Sequence, residues 1–329
     1  MDRAASFDRA LIAGPFLLAA AAGAAVVAQP ALFAMLFVVD LWLLAFPHVI
    51  ATFTRVAFDS ESFRRHRFLA LGLLPLIGVA VSAIVWWKGY EPIITVYFYW
   101  QWFHYMRQSH GLERILWRKA AGISADAAAS RGLVHIVALW GLLNRCHQAQ
   151  PSFLGMKVWW LPVPEWIVTL AAAISLVAVI TWLWSTWTAG TRHAHHTAYV
   201  LTHVAVFVLA YGIVPDVSHG WLLVNIWHNA QYLMIVWFFN ATRFRDGIDP
   251  HHAFLSTISQ PRNVLLFLAV CLGLSAALYL PLQYVVPAAV SGLPVALVLS
   301  QILNFHHYVV DARVWRLRQA PVRAGLGLA

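Results

Sequence analysis

The chain has 329 residues, of which 61% are hydrophobic and 11% charged, with a mean hydropathy of +0.69. A soluble domain carries about 25% charged residues, so this composition excludes a water-soluble globular protein. The formal charge of +9 does not mark a nucleic-acid binder, because in so apolar a chain Lys and Arg gather on the cytoplasmic face.

Apolar runs follow one another from the N-terminus at 10–28, 31–54, 68–87, 92–109, 132–150, 166–186, 197–214, 219–241, 263–283 and 287–312. Each approaches the roughly 20 residues that cross a hydrocarbon core of about 30 Å. The expected fold is all-α, a polytopic transmembrane bundle of about ten spans forming one domain over 1–329. The first run, behind Arg3 and Arg9, reads as an uncleaved helix. With the N-terminus in the cytoplasm, every Lys and Arg except Lys88, Lys157 and Arg145 lies at an inner end or inner loop. That places both termini inside and makes 55–67, 110–131 and 242–262 cytoplasmic loops. The middle loop carries the pattern of a short amphipathic helix over 113–120. Trp86, Trp87, Trp159, Trp160 and Trp221 fall at outer ends, as an interfacial belt does. The expected location is a bacterial inner membrane.

Histidine is the residue these runs should avoid, since an imidazole in hydrocarbon is costly unless paired, hydrated or bound to metal. His48 stands in the second run, His104 in the fourth, His203 in the seventh, His228 in the eighth and His307 in the tenth. At about 1.5 Å per residue, His48, His104, His203 and His307 all lie roughly 7–9 Å from the inner surface, and His228 lies near the midplane. His135 is shallower by a few residues. His196 shares a face with His203, and His306 adjoins His307, so these three are possible further ligands. A layer of neutral imidazoles at one depth points to a metal or haem centre.

Residues three, four and seven apart share a helix face. That rule sets Gln108 with His104, Asn225 and Tyr232 with His228, and Asn304 and Asp311 with His307. These are candidate orienting or catalytic groups, because a metal-bound His donates its other N–H to an amide, carbonyl or carboxylate. Tyr232 is also a candidate donor to substrate or oxygen. Asp40 and Arg145 both fall roughly 20 Å deep and are expected to form a buried ion pair. Arg55, Arg107 and Arg316 at the inner rim are candidates for holding an anionic head group.

The two cysteines, Cys146 and Cys271, stand alone in apolar runs, and no CxxC or CxxCH occurs. Zinc ribbons and covalent haem are therefore excluded, and a disulfide scaffold is not expected. Imidazole with a carboxylate such as Asp311 suits non-haem iron. The aromatic fourth run, Tyr97 to Tyr105, suits the wall of a pocket for a long apolar ligand.

Two short pieces carry a resemblance. His193-Ala194-His195-His196 is similar to the histidine boxes of membrane di-iron hydroxylases and desaturases, although no HxxxH occurs. Pro47-His48 and Trp227-His228 resemble motifs of Brp/Blh-type carotene dioxygenases, without the Gly-rich continuation after Pro-His. The resemblance implies a histidine-rich membrane oxygenase acting on a lipid or isoprenoid, with an electron-donor protein or quinone as a further partner. Two alternatives use the same residues: a b-type haem protein in quinone-linked electron transfer, and a transporter that couples to protons through His.

Overall fold

The computed structural model describes residues 3–121, 128–188, 193–285 and 295–328. The regular structure among them is helical, with no strand beyond an isolated bridge between Phe153 and Met156. In chain order the helices are α1 (Arg3–Ala28), α2 (Pro30–Val56), α3 (Ser60–Lys88), α4 (Glu91–Ala121), α5 (Ala128–Gln148) and α6 (Glu165–Thr188). They continue as α7 (Ala194–Ile213), α8 (Val217–Arg243), α9 (Ala253–Ile258), α10 (Val264–Leu280), α11 (Val295–Val314) and α12 (Ala320–Gly325). Each apolar run of the sequence overlaps one of the long helices. The expected start of the last run at 287, and Arg192 of the charge count, lie outside the described residues.

By length and composition six helices can cross a membrane, namely α1, α2, α3, α6, α7 and α10, which marks an integral membrane protein. The other long helices, α4, α5, α8 and α11, share a reason for lower hydropathy. They carry His104, Arg145, His228 and His307 with their polar neighbours. In their most apolar stretches, only 11% of the residues of α3 and of α6 and 22% of those in the span beginning with α10 are buried, against 39% in α1. Leu76, Val79, Leu176, Val177 and Leu265 stand exposed on the first three. Such surface is stable only against lipid or a partner, which fits α3, α6 and α10 better than α1.

Local chemistry explains the irregular turns. Pro47 lacks an N–H, and its ring would strike the carbonyl one turn back in a regular helix. A π-turn, Leu41–Ala45, widens α2 just before it. A π-turn takes in one extra residue and rotates all that follows by about 100°, so one continuous period cannot relate Asp40 to His48. In α3, Asp59 caps the N-terminus by accepting from the N–H groups of Glu61 and Ser62. The helix kinks at His66 and passes through a second π-turn, Phe68–Gly72. The separate amphipathic helix expected over 113–120 is instead the last third of α4. Nothing stronger than Gly111 interrupts that helix, and Leu112, Glu113, Ile115 and Leu116 bury one face of the continuation.

The chain divides into two packed units. The first comprises residues up to Phe37 and Phe98–Gln231. Within it α5 packs on α6 and α7, and α7 packs on α1. The second comprises Val38–Tyr97 and Tyr232–Gly327. There α11 packs on α3 and on the Phe46–Val56 segment of α2, which also packs on α10. Phe46 stacks on Tyr279 at 3.8 Å between centroids, and Leu303 completes that core.

Candidate metal centre

Within the second unit, α2, α8 and α11 converge on a buried chain of polar groups. His48 and His307 are each 2% exposed, and their Nε2 atoms stand 2.7 Å apart. His307 Nδ1 lies 2.8 Å from Thr52 Oγ1, which lies 2.7 Å from the Tyr232 hydroxyl. Tyr232 donates to Asp311 Oδ1 and accepts from Trp315 Nε1–H at 3.1 Å. The His48 ring stacks on Tyr232 at 4.0 Å.

With Asp311 as a carboxylate, counting protons along this chain gives the tautomer of His307. A tyrosine hydroxyl has one proton, and that of Tyr232 goes to Asp311. Thr52 must therefore donate to Tyr232, which leaves Thr52 accepting from His307 Nδ1–H. The Nε2 of His307 is then bare and accepts from His48 Nε2–H. The arrangement is a carboxylate–histidine relay lengthened by two hydroxyls, with His307 Nε2 presented as a ligand atom. His307 and Asp311, one turn apart on α11, also bring a ring nitrogen and a carboxylate oxygen within 4.8 Å of each other.

The chain tests the expected roles. His307, rather than His306, belongs to it. His306 Nε2–H donates to Leu69 O at 2.6 Å, and its ring stacks on Phe53. Tyr232, the expected donor to substrate or oxygen, here donates to Asp311 and bonds Thr52. Asn304 is only half-buried and takes no part. Thr52 stands one turn after His48 on α2, and Trp315, which sequence reasoning did not put among the site residues, follows the last residue of α11.

The first unit holds a second pair. The rings of His104 and His228 meet edge-on at 4.8 Å between centroids, with ring nitrogens also within 4.8 Å. Gln108 Nε2 donates to the His228 carbonyl at 3.0 Å. Asn225 Oδ1 accepts from Gln101 Nε2 at 3.2 Å and from the Tyr105 hydroxyl, while Trp221 Nε1–H donates to Gln101 Oε1 at 2.8 Å. The Tyr105 ring lies against His228 at 4.6 Å. Gln108 thus bonds the backbone of His228, and Asn225 bonds Gln101 and Tyr105 beside it. Gln101 and Tyr105 stand four residues apart on α4, the spacing that sets two side chains on one face.

The remaining candidates of this unit are engaged elsewhere. His203, fully buried, donates Nε2–H to Val134 O at 3.0 Å, so only Nδ1 is left to bind anything. His196 Nε2 lies 3.0 Å from Glu113 Oε1, which also accepts from Ser130 Oγ–H at 2.6 Å. His135 donates Nδ1–H to Arg131 O at 2.6 Å and faces the His110 ring. Sequence reasoning placed Glu113 in a solvated loop. A lone acid facing a buried helix stripe was the available signal.

Arg145 meets its needs differently from the expected pairing with Asp40. Nη1 donates to Gln148 Oε1 at 2.6 Å and Pro215 O at 2.9 Å, and Nη2 donates to Ala210 O at 2.6 Å and to Val214 O. It forms no ion pair among the described residues. The physical reason is the end of α7, where the last carbonyls of a helix lack intrahelical donors and carry partial negative charge. Gly220 makes the approach possible, since a Cβ there would lie 2.0 Å from Ala210 O. Asp40 is buried in the second unit.

Outside the spans, Asp59 joins α3 to the start of the 242–262 loop. Burial alone would raise its carboxyl, but the hydrogen bond from Arg243, the Ser62 N–H and the charges of Arg243 and His252 outweigh it. The net effect holds the carboxyl below its ordinary value. Of the three rim arginines, Arg107 is exposed, Arg316 is half-buried and Arg55 is buried. Comparison with protein-family models, with characterised proteins and with solved structures returns no match for this chain.

Proposed function

We propose that the protein is a membrane-embedded, metal-dependent oxidoreductase that oxygenates a lipid or isoprenoid, with non-haem iron as its metal. The observation that carries this reading is the His48–His307 contact, backed by the relay that ends on Asp311. A metal bonded to two imidazoles at about 2.0–2.1 Å and a right angle holds their nitrogens about 3.0 Å apart. The present 2.7 Å needs only a few tenths of an ångström of opening. Opposed axial ligands of a haem would stand about 4 Å apart, so these two histidines are better suited to neighbouring positions on a non-haem ion. His104 and His228 are the second proposed ligand pair, and the depth argument from the sequence is the ground for adding His203. Imidazole and carboxylate together favour iron over the softer metals.

Iron would supply the redox chemistry with oxygen. The chain's own residues would hold the imidazoles neutral and oriented, and the apolar helices would exclude water. Inserting one oxygen atom into a C–H bond consumes O2, two electrons and two protons and releases water. The reading therefore includes an electron-donor protein or quinone. The ten-span arrangement with both ends in the cytoplasm of a bacterial inner membrane belongs to the same proposal.

The test is metal content by mass spectrometry and a visible spectrum on purified full-length protein. Iron without a Soret band, lost in His48→Ala and His307→Ala but kept in His252→Ala, is the expected result. Loss of all metal from His104→Ala and His228→Ala as well means one centre, whereas partial loss means two. Metal-free wild-type protein would overturn the reading and leave the unbroken chain from His48 to Asp311 as a proton path.

A further inference from the structure

Beyond the metal reading, and independently of it, we infer that the second unit contains a binding pocket for a phosphate group, with Arg55 as its anchoring residue. A cavity of about 480 Å³ opens between the ends of α2, α8 and α11, the start of α3 and α12. Its wall carries four arginines, and three of them have carboxylate partners. Arg65 pairs with Glu61 at 2.9 Å, Arg243 with Asp59, and Arg245 with Asp246 at 3.5 Å. Arg55 is the fourth. It is only 7% exposed, and among the described residues no carboxylate pairs with it and its Nε has no hydrogen-bond partner.

A buried, unpaired cation is costly, and the fold has not evaded that cost by turning the side chain outward. Instead the guanidinium carbon lies 3.7 Å from the centroid of the Phe239 ring and 5.0 Å from that of Trp315. These ring contacts leave its N–H donors without a carboxylate acceptor among the described residues, and the residue lines the cavity. A guanidinium edge fits the paired oxygens of an oxyanion. Arg55 is the penultimate residue of a helix long and apolar enough to span a membrane, which is the level at which lipid phosphates lie. The phosphate of an anionic phospholipid is therefore the favoured source, and a soluble phosphate compound is the other.

The experiment uses purified full-length protein in detergent. Thermal unfolding is followed while phosphatidic acid, phosphatidylcholine, inorganic phosphate or pyrophosphate is titrated in. Wild type is expected to gain stability with phosphatidic acid. Arg55→Gln is expected to need about ten- to a hundredfold more of it, the loss of one charge-assisted contact, while the exposed Arg313→Gln behaves as wild type. Without any anion Arg55→Gln should unfold at or above the wild-type temperature, because it removes an uncompensated charge. That result separates a ligand anchor from a structural arginine. Its metal content should match wild type, which keeps this inference separable from the metal reading.

An equal, Arg55-dependent response to inorganic phosphate or pyrophosphate assigns the pocket to a soluble phosphate and upholds the site. Should Arg55→Gln not fold, Arg55→Lys keeps the charge without the planar fork and should still weaken binding. Identical titrations for wild type and whichever Arg55 variant folds, or no response to any phosphate, would overturn the inference. A failure of both variants to fold would overturn it as well, by showing Arg55 to be structural.

Discussion

Replacing Tyr232 by Phe isolates the relay from the ligands it supports. The substitution keeps the ring that stacks on His48 at 4.0 Å and removes one oxygen. That oxygen touches two buried groups, Thr52 Oγ1 at 2.7 Å and the Asp311 carboxylate, and the half-buried Trp315 Nε1 at 3.1 Å. Leaving a buried polar group short of a partner costs about 1–3 kcal/mol, more when it is charged. Thr52 keeps His307 and can turn its proton toward the His48 carbonyl 3.5 Å away, so its share is small. Trp315 and Asp311 at the lower end then give a loss of about 2–4 kcal/mol in the metal-free protein. Metal affinity should fall separately, because Thr52 no longer has a fixed acceptor and His307 Nδ1–H is less firmly held. Groups of this kind change metal affinity by about 10–100-fold. Chelator competition on purified protein measures the second effect and thermal unfolding the first. Thr52→Val should reproduce the affinity loss, and the double variant should show less than the sum of the two. Unchanged chelator midpoints in both single variants would refute the relay, even if stability fell as expected.

Three other outcomes follow from the packing and charge. Gly220→Ala sets a methyl 2.0 Å from Ala210 O. It should cost about 1–3 kcal/mol or more, read as a lower unfolding temperature at unchanged metal content. Glu113→Leu strands the Ser130 hydroxyl and the His196 ring, both now hydrogen-bonded to one carboxylate oxygen, and should lose about 2–5 kcal/mol. Glu113→Gln, which keeps that oxygen, should lose much less, and equal losses would show that the negative charge is what matters. Asp59 has its carboxyl lowered by Arg243, Ser62 and His252 against its own burial. Its contribution to stability is thus complete above the ordinary carboxylate value of about 3.9 and lost as pH falls through the lower folded value. Asp59→Asn should flatten the acid limb of a stability–pH curve below about pH 4 and leave its neutral region parallel to wild type.

The helices were legible in the sequence because hydrocarbon imposes one requirement on every span, and apolar length reports it directly. The site was legible where the helix period runs unbroken. On α11 the four-residue step from His307 to Asp311 survives in the structure, whereas on α8 Tyr232, which spacing set with His228, instead bonds Thr52 and Asp311. Beyond a π-turn the same arithmetic fails, since α2 changes register between Asp40 and His48. It fails again for groups that satisfy each other across helices. His196 shares a face with His203, yet its ring is held by Glu113 on α4. No period along a single helix encodes that pairing. The stripe containing Glu113 continued a span that composition alone would have ended near residue 109.

Two buried arginines show how a costly charge can be sorted into structure or function. Arg145 and Arg55 are 1% and 7% exposed, and both would be expensive in a low-dielectric surrounding without compensation. Arg145 has its compensation in the fold, since both terminal nitrogens donate to acceptors that include the unfulfilled carbonyls closing α7. Gly220 is kept free of a side chain so that they can. Truncating Arg145 therefore removes a cation and abandons carbonyls at once, and Arg145→Met should destabilise the first unit in every condition. Arg55 has only aromatic faces, and the carboxylates around its cavity are already paired with other arginines. Asp59 and Asp311 act on it only through their charge, so a bound anion supplies the direct pairing it lacks, and its truncation should be harmless until that ligand is added. Opposite signs for the two variants in anion-free buffer are the expected outcome. A loss of equal size at both positions would mean that Arg55, too, is structural.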